Sequence, residues 1–384
     1  EELDVDWNKV IVEQAPLDTD NFTRQFIGGS QAIRTGWKAL RTAGATARRM
    51  LILAAAKTWD IPDSEIKTAS GFVLDISGKR KADYGSLAAL AATLPIPEDV
   101  KLKEVQDFRI IGTSKKNVDL HKIITGKPLF GIDFKKPGML YAMIIHPPAI
   151  GKKLKSFDAN RARAMPGIKD VFAIKSLQDD YKRTFFDTVQ FTDLIAVVGV
   201  STWQVQQAKK AVTVSWEIQK GFEEKRDMFG RAGVRVVPEG LENSAEQEHK
   251  MRHAAMSPQK QRMDGDPIKE FEKATRVIER SFSGPFLAHN CMEPMNFFAH
   301  VQGDKVFCAG PLQKPELTEQ ALADRLGIPI ENIEISMTRL GGGYGRRSYA
   351  HWLIEAAVIS QKTGMPIKLL YNREDEMTAG VYRS

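Results

Sequence analysis

Leu340-Gly341-Gly342-Gly343-Tyr344-Gly345-Arg346-Arg347 lies between a β-branched stretch, Ile333 to Met337, and a helical pattern, Trp352 to Thr363. Strand, glycine loop and helix in that order make a place where backbone can approach a ligand closely. Amides at the start of such a helix form an anion site, and the two arginines would deepen it by bonding a phosphate or pyrophosphate bidentately. The loop is not a Walker loop, because no Gly-Lys-Ser/Thr follows at the required spacing. Nor is it the dinucleotide fingerprint, which needs an acidic residue about 20 residues further on within a βαβ unit. The plainer alternative is a glycine-rich turn with solvated arginines.

Working outward, the flanking pattern from residue 274 reads as strands at Val277–Ser281, Phe297–Val301 and Val306–Ala309. A helix at Glu316–Leu326, the strand at Ile333–Met337, the loop, its helix and a strand at Pro366–Tyr371 complete it. Gln313 lies just before the first of these helices. Upstream, the loop Gly284 to Asn296 carries His289 and Glu293, which could hold a metal but lack a third clustered ligand. A hydrogen-bonded structural role is the simpler one.

Residues 1–104 form a first segment, with a short strand at Lys9–Glu13 and a loop ending Ile27-Gly28-Gly29-Ser30. A long helix spans Gln31–Trp59, and Ser30 stands where its N-cap belongs. A strand pair around Gly71–Lys79 and a helix after Tyr84-Gly85 follow. Residues 105–216 mix strands at Leu140–His146, Val171–Ile174, Leu194–Val200 and Val212–Trp216 with helices at Ala159–Met165 and Thr202–Ala211, the signature of a compact α+β domain. Residues 217–273 are charged and poor in large apolar side chains, and read as a polar linker or surface excursion. Residues 274–384 hold the glycine loop.

The chain has 384 residues, enough for two or three domains. Its net charge of +7 is spread over 55 basic and 48 acidic residues, with no basic stripe interleaved with aromatics, which argues against nucleic acid as a partner. No apolar run approaches the roughly 20 residues that span a bilayer. Two cysteines, Cys291 and Cys308, provide no spacing for zinc or an iron–sulfur cluster, so a one-electron carrier would sit on another chain.

Four blocks together resemble the molybdopterin-binding large subunit of the xanthine dehydrogenase and aldehyde oxidase family, and within it the isoquinoline 1-oxidoreductase beta subunit branch. They are Phe26-Ile27-Gly28-Gly29-Ser30 with Ala43 to Arg48; Thr125 to Asp133 through Met165 to Ile168; Leu287-Ala288-His289-Asn290-Cys291-Met292-Glu293-Pro294-Met295; and Leu340 to Arg347 with Tyr371 to Asp375. The resemblance implies an α+β fold in which molybdopterin-binding portions flank an inserted α/β-hammerhead domain at 105–216. It implies that Gly28, Gly29, Ser30, Gln313, Gly342, Gly343, Tyr344, Gly345 and Arg346 hold the cofactor, that His289 and Glu293 line the pocket, and that no side chain ligates the metal directly.

The family's molybdenum-contacting glutamine falls at Leu287, and the substrate glutamate of its xanthine-type members falls at Ser348, which argues against a purine. A cofactor loop expected before Glu1 and a base glutamate expected beyond Ser384 imply a fragment of a roughly twice-larger polypeptide. That fragment is expected to be inactive and to lack the cofactor. The intact protein would be a molybdenum hydroxylase carrying the cytosine dinucleotide form of molybdopterin. It would oxidise an aromatic N-heterocycle or aldehyde with water-derived oxygen and pass electrons to a small subunit with [2Fe–2S] clusters. The branch implies export to the periplasm, with the cytoplasm as the alternative. A different class of function, a non-catalytic assembly module whose glycine loop is only a turn, stands beside it.

Overall fold

The computed structural model describes residues 1–177, 183–184, 191–241 and 243–383. They form two compact units, one of residues 1–15 with 27–128 and one of residues 16–26 with 129–384.

In the first unit the helix Ala32–Trp59 buries Ala45, Leu51, Ala54 and Ala55 on one face and ends where Asp60 turns left-handed. Small side chains at that spacing let the three-stranded antiparallel sheet Ile66–Ala69, Phe72–Asp75, Lys81–Asp83 come close, with Ile66, Val73, Leu87 and Ala91 completing the core. Ser70 and Gly71 both have positive φ and make the tight turn between the first two strands, so the strand pair expected around Gly71–Lys79 is in fact three strands, of which Phe72–Asp75 falls within that range. The helix Tyr84–Ala91 is capped by Asp83, whose carboxylate accepts from Ser86 N. Two expectations fail here. Lys9–Glu13 forms no strand: Trp7–Lys9 is a 3-10 turn capped by Asp6, and Ile11 beyond it is exposed with no strand to pair with. Ser30 does not cap the long helix, because Gln31 occupies that position and Ser30 itself is left-handed with φ 53°.

The second unit is built on a seven-stranded mixed sheet. Its order is Ile333–Met337, Lys305–Gly310, Asn296–Gln302, Ile367–Leu370, Leu140–Ile145, Asp193–Gly199, Ile168–Lys175. Strands from residues 105–216 and 274–384 thus share one sheet, joined where Ile367–Leu370 pairs in parallel with Leu140–Ala142. Alternation along Asp193–Gly199 sets the two faces: Leu194, Ala196 and Val198 pack with Phe297, Trp352, Leu353 and Ile367, while Ile195 and Val197 face Val205 and Ala208 of helix Thr202–Ala211. The helix His351–Thr363 is buried along most of its length, from His351 to Ser360, with Glu355 and Ser360 carried into the interior among its apolar residues. Pro315–Leu326 packs beside it.

Between the two groups of strands, residues 220–273 form more regular structure than a linker. A hairpin, Phe222–Met228 with Arg231–Val237, turns at Phe229-Gly230, and helices Ser244–Ala255 and Pro267–Lys273 follow with no buried residue. Surface pairs at i,i+4 spacing, Glu246 with Lys250 and Glu248 with Arg252, suit a helix exposed all round. The strand expected at Val277–Ser281 does not form, and those residues are exposed without a partner strand among the described residues. Among the described residues no helix is long and apolar enough to cross a membrane.

Candidate functional site

The glycine loop leaves the edge strand Ile333–Met337 and reaches helix His351–Thr363 through a buried 3-10 turn, Arg346–Ser348. The helix therefore does not open directly on the loop, as the sequence pattern implied, and its first residues, His351 to Leu353, are buried. Three loop residues have positive φ, at 99° for Gly342, 51° for Tyr344 and 88° for Gly345. Tyr344 adopts that conformation without the glycine freedom its neighbours have, and its side chain is 71% exposed. The amides of Gly342, Gly343 and Tyr344 have no hydrogen-bond acceptor among the described residues.

What holds the loop is a set of side chains behind it. Glu293, 7% exposed, accepts at Oε1 from Ile132 N and Asn296 Nδ2, both at 2.9 Å, and at Oε2 from Gly341 N at 2.8 Å and Arg347 Nη2 at 3.3 Å. The Glu293 amide returns a bond to Gly341 O at 3.0 Å. A Cβ at Gly341 would sit 2.3 Å from Glu293 Cβ, so glycine at 341 is the condition for this clasp. Gln313 makes a second one: its Oε1 accepts from Gly345 N at 3.0 Å, and a Cβ at Gly343 would lie 2.6 Å from that oxygen.

The arginines are not solvated, and their guanidinium groups are not laid open to an anion. Both are fully buried. Arg346 Nη1 donates to Glu376 O at 2.8 Å and His289 O at 3.3 Å, and its Nη2 donates to Ala379 O at 3.5 Å. Arg347 donates from Nε to Gly342 O and from Nη2 to Glu293 O, each at 2.7 Å. A planar guanidinium suits several carbonyls at once, which explains arginine at both positions. Arg346 Nε and Arg347 Nη1 are buried with no hydrogen-bond partner among the described residues.

Of the residues singled out in the sequence, Gln313, Glu293, His289 and Gly341 to Arg347 come together around the loop. His289 is joined to it through its carbonyl. Among the described residues no His, Cys, Asp and Glu cluster could hold a metal. Both cysteines are free and buried, and Cys291 Sγ lies 3.6 Å from Gly343 O. Gly28, Gly29 and Ser30 belong to the first unit, Gly29 and Ser30 exposed there. Leu287 is exposed and pairs with Arg383 in a two-residue ladder, and Ser348 is buried in the 3-10 turn. Ser384 lies outside the described residues.

Sequence reading missed Lys368. It is 1% exposed in the central strand, and its Nζ donates to Gly131 O and to Asn296 Oδ1, the latter at 3.0 Å. Burial pushes the ammonium down to about 8 against the pull of Glu293 and Asp133. A lysine between Ile367 and Leu369 in an otherwise apolar strand was the available signal. A second group also escaped notice, the buried line Glu355, Tyr371, His146 and Asp375, whose members are far apart in sequence.

Residues 246–384 match the family model of the molybdopterin cofactor-binding domain. Over its whole length the chain is 26% identical to isoquinoline 1-oxidoreductase subunit beta of Brevundimonas diminuta, of which it covers 51%. It is also 26% identical over its whole length to a protein of Gluconacetobacter polyoxogenes named membrane-bound aldehyde dehydrogenase [pyrroloquinoline-quinone], covering 47% of it. The fold is shared with quinoline 2-oxidoreductase from Pseudomonas putida 86, with a TM-score of 0.51, 16% identity, and coverage of 71% of this chain and 36% of that one. The chain spans about half the length of the first two relatives. The clasped glycine loop thus lies within residues 246–384, the part of the chain that matches the molybdopterin cofactor-binding domain.

Proposed function

We propose that Gly341 to Arg347 holds molybdopterin in a molybdenum hydroxylase that oxidises an aromatic N-heterocycle or an aldehyde. The observation that carries this is the clasped loop. Glu293 and Gln313 anchor Gly341 and Gly345, the amides of Gly342, Gly343 and Tyr344 between them have no acceptor among the described residues, and a held row of N–H donors suits an anionic cofactor. When bound, the cofactor supplies the metal-activated oxygen and takes two electrons from the substrate. This chain's own residues bind and orient: Glu293 and Gln313 fix the loop, Arg346 and Arg347 brace it from the core, and Tyr344 shields its exposed side.

Further parts of the reading rest on the family. Gly28, Gly29 and Ser30 contribute to the cofactor's phosphate end, and residues 105–216 correspond to the hammerhead domain. The cofactor is the cytosine dinucleotide form. Electrons pass to a separate iron–sulfur subunit, in keeping with a chain that has two buried thiols and no cluster spacing. Leucine at 287 and serine at 348 point away from a purine substrate. The protein works in the periplasm.

Molybdenum and pterin analysis of the full-length protein, produced together with its iron–sulfur partner, tests the reading. Both should be found at near one per chain, and Gly343→Val should abolish them while the protein stays folded by circular dichroism. An assembly module predicts neither metal nor pterin, and partner binding unaffected by Gly343→Val.

A further inference from the structure

The second unit holds a line of polar groups in its core for which cofactor binding has no use. Glu355, on helix His351–Thr363, is 2% exposed, and its Oε2 lies 2.6 Å from Tyr371 Oη. Tyr371 Oη is 3.2 Å from His146 Nε2. The other ring nitrogen, Nδ1, faces Asp375 Oδ1 at 3.5 Å, a contact too poorly aligned to count as a hydrogen bond, and has no hydrogen-bond partner among the described residues. Asp375 Oδ1 in turn takes Lys209 Nζ at 2.5 Å.

The direction of hydrogen bonding along this line follows from its two ends. Asp375 is an anion: burial works to raise its carboxyl, but His146 and Lys209 hold it below the usual range. It can only accept, so His146 must carry its proton on Nδ1. Burial, with Lys209 and Arg346 nearby, keeps the imidazole singly protonated. Its Nε2 is then a lone pair that takes the one proton of Tyr371. At 2.6 Å the remaining contact still needs a proton, and Glu355 must supply it as a neutral carboxylic acid. No cation pairs with Glu355 among the described residues, and Tyr371 is its one hydrogen-bonding neighbour.

We propose that Glu355, Tyr371, His146 and Asp375 form a one-way hydrogen-bond chain that reverses when a single proton is released, acting as a proton-operated latch on helix Arg373–Thr378. In the latched state Glu355 donates to Tyr371, Tyr371 to His146 Nε2, and His146 Nδ1 to Asp375. On release the Glu355 proton passes to Tyr371 Oη, the tyrosine's own proton to Nε2, the Nδ1 proton to Asp375, and one proton leaves Asp375 for solvent beside Lys209. Charges and protons balance: Glu355 becomes an anion, Tyr371 and His146 stay neutral, and Asp375 returns to its anionic form. The imidazole now presents a lone pair to the Asp375 carboxylate, and that contact turns repulsive.

The consequence reaches the glycine loop through short steps. Asp375 closes the capping box of helix Arg373–Thr378, accepting from Asn372 N at 3.1 Å while its own amide donates to Asn372 Oδ1 at 2.8 Å. The same helix and the residue after it supply Glu376 O and Ala379 O, two of the three carbonyls that hold Arg346. The other charged groups facing the line are few. Arg346 bears on Tyr371 and His146, and His351, one turn before Glu355, is driven down to about 3 by burial, Arg346 and His146, so it stays neutral throughout. Burial, with Asp375 adding to it against the Tyr371 hydroxyl, pushes the Glu355 carboxyl up to about 8, which places the reversal within reach of ordinary buffers.

Nitrogen-15 NMR of the histidines in the full chain, titrated from about pH 6 to about pH 10, tests the latch. The His146 signals, identified by their loss in His146→Gln, should show a proton on Nδ1 at the low end and on Nε2 at the high end. Amide exchange of residues 373–379 should accelerate over the same interval. Glu355→Gln, whose amide still donates to Tyr371 but cannot release a proton, should keep the Nδ1 form and slow exchange throughout. The proposal is overturned by an Nε2 proton at about pH 6, by an unchanged tautomer up to about pH 10, or by the same switch in Glu355→Gln. The first two need only the wild-type protein, so a variant that fails to fold does not protect the idea.

Discussion

Replacing Glu293 by alanine should destabilise the second unit by about 3–5 kcal/mol. The magnitude follows from what the carboxylate does. It is 7% exposed and takes four donors, the amides of Ile132 and Gly341, the side-chain amide of Asn296 and the guanidinium of Arg347. A buried N–H that loses its acceptor costs about 1–3 kcal/mol, and removing one partner of a buried ion pair costs about 3–5 kcal/mol. These figures do not add, since one side chain makes all four bonds, so the ion-pair figure bounds the sum. Set against a typical total of about 5–15 kcal/mol, the loss is large. Glu293→Gln, which keeps the shape and one acceptor but turns an NH2 toward Gly341 N or Arg347, should fall between the alanine variant and wild type. Urea unfolding followed by tryptophan fluorescence is a suitable assay, because Trp352 is fully buried in the same core. A double-mutant cycle with Arg347→Met should return a coupling above about 1 kcal/mol. A destabilisation below about 1 kcal/mol for Glu293→Ala, together with coupling near zero, would refute the view that Glu293 holds the loop.

Gly341→Ala should cost about 1–3 kcal/mol, since its Cβ meets Glu293 Cβ at 2.3 Å; an unchanged urea midpoint would show that the clasp can yield. Tyr344→Gly should leave stability unchanged or raise it by about 1 kcal/mol, because the exposed side chain makes a positive-φ residue of a non-glycine, and a clear loss in thermal melting would contradict this. Glu355 has a pH signature with a definite sign. Its folded value of about 8 lies above the ordinary 4.5, so the folded state binds the extra proton and stability falls as pH rises from about 4.5 through about 8. The difference in unfolding free energy between wild type and Glu355→Gln should therefore slope downward over that window, and a flat difference would count against a neutral Glu355. Lys368 slopes the other way: its folded value of about 8 lies below the ordinary 10.5, so its contribution rises between those values, and Lys368→Met should remove that rise.

Periodicity carried most of the fold. The β-branched run Ile333–Met337, the continuous apolar run through Asp193–Gly199 and the long helix ending at Trp59 were legible because burial forces their patterns. Failures came where a pattern lacked a partner: Lys9–Glu13 and Val277–Ser281 are rich in β-branched residues like strands, yet nothing pairs with them among the described residues. At the site, the glycines were visible and the reason for them was not. Gly341 and Gly343 make room for Glu293 and Gln313, contacts that span 48 and 30 residues and leave no local trace. The arginines misled for a related reason. Charge in a sequence suggests solvent or ligand, whereas Arg346 and Arg347 are surrounded by carbonyls from distant segments. Lys368 and the Glu355 line show the same limit, since burial of a charge depends on a sheet order that pattern alone does not fix.

The sheet order also bears on how the protein is made. Leu140–Ile145, Asp193–Gly199 and Ile168–Lys175 can pair as soon as they emerge, because their neighbours are close in the chain. The outer edge of Leu140–Ile145 waits for Ile367–Leu370, which reaches the ribosome exit only after more than two hundred further residues. At about 5–20 residues per second that delay is on the order of 10–40 seconds. Throughout it, an apolar strand edge bearing Leu140, Ala142 and Ile144 stands open to any other nascent chain, with the charged hairpin and helices of residues 220–273 made during the wait. Expression yield should therefore depend on translation speed and on chaperone supply more steeply than the stability of the finished fold would suggest.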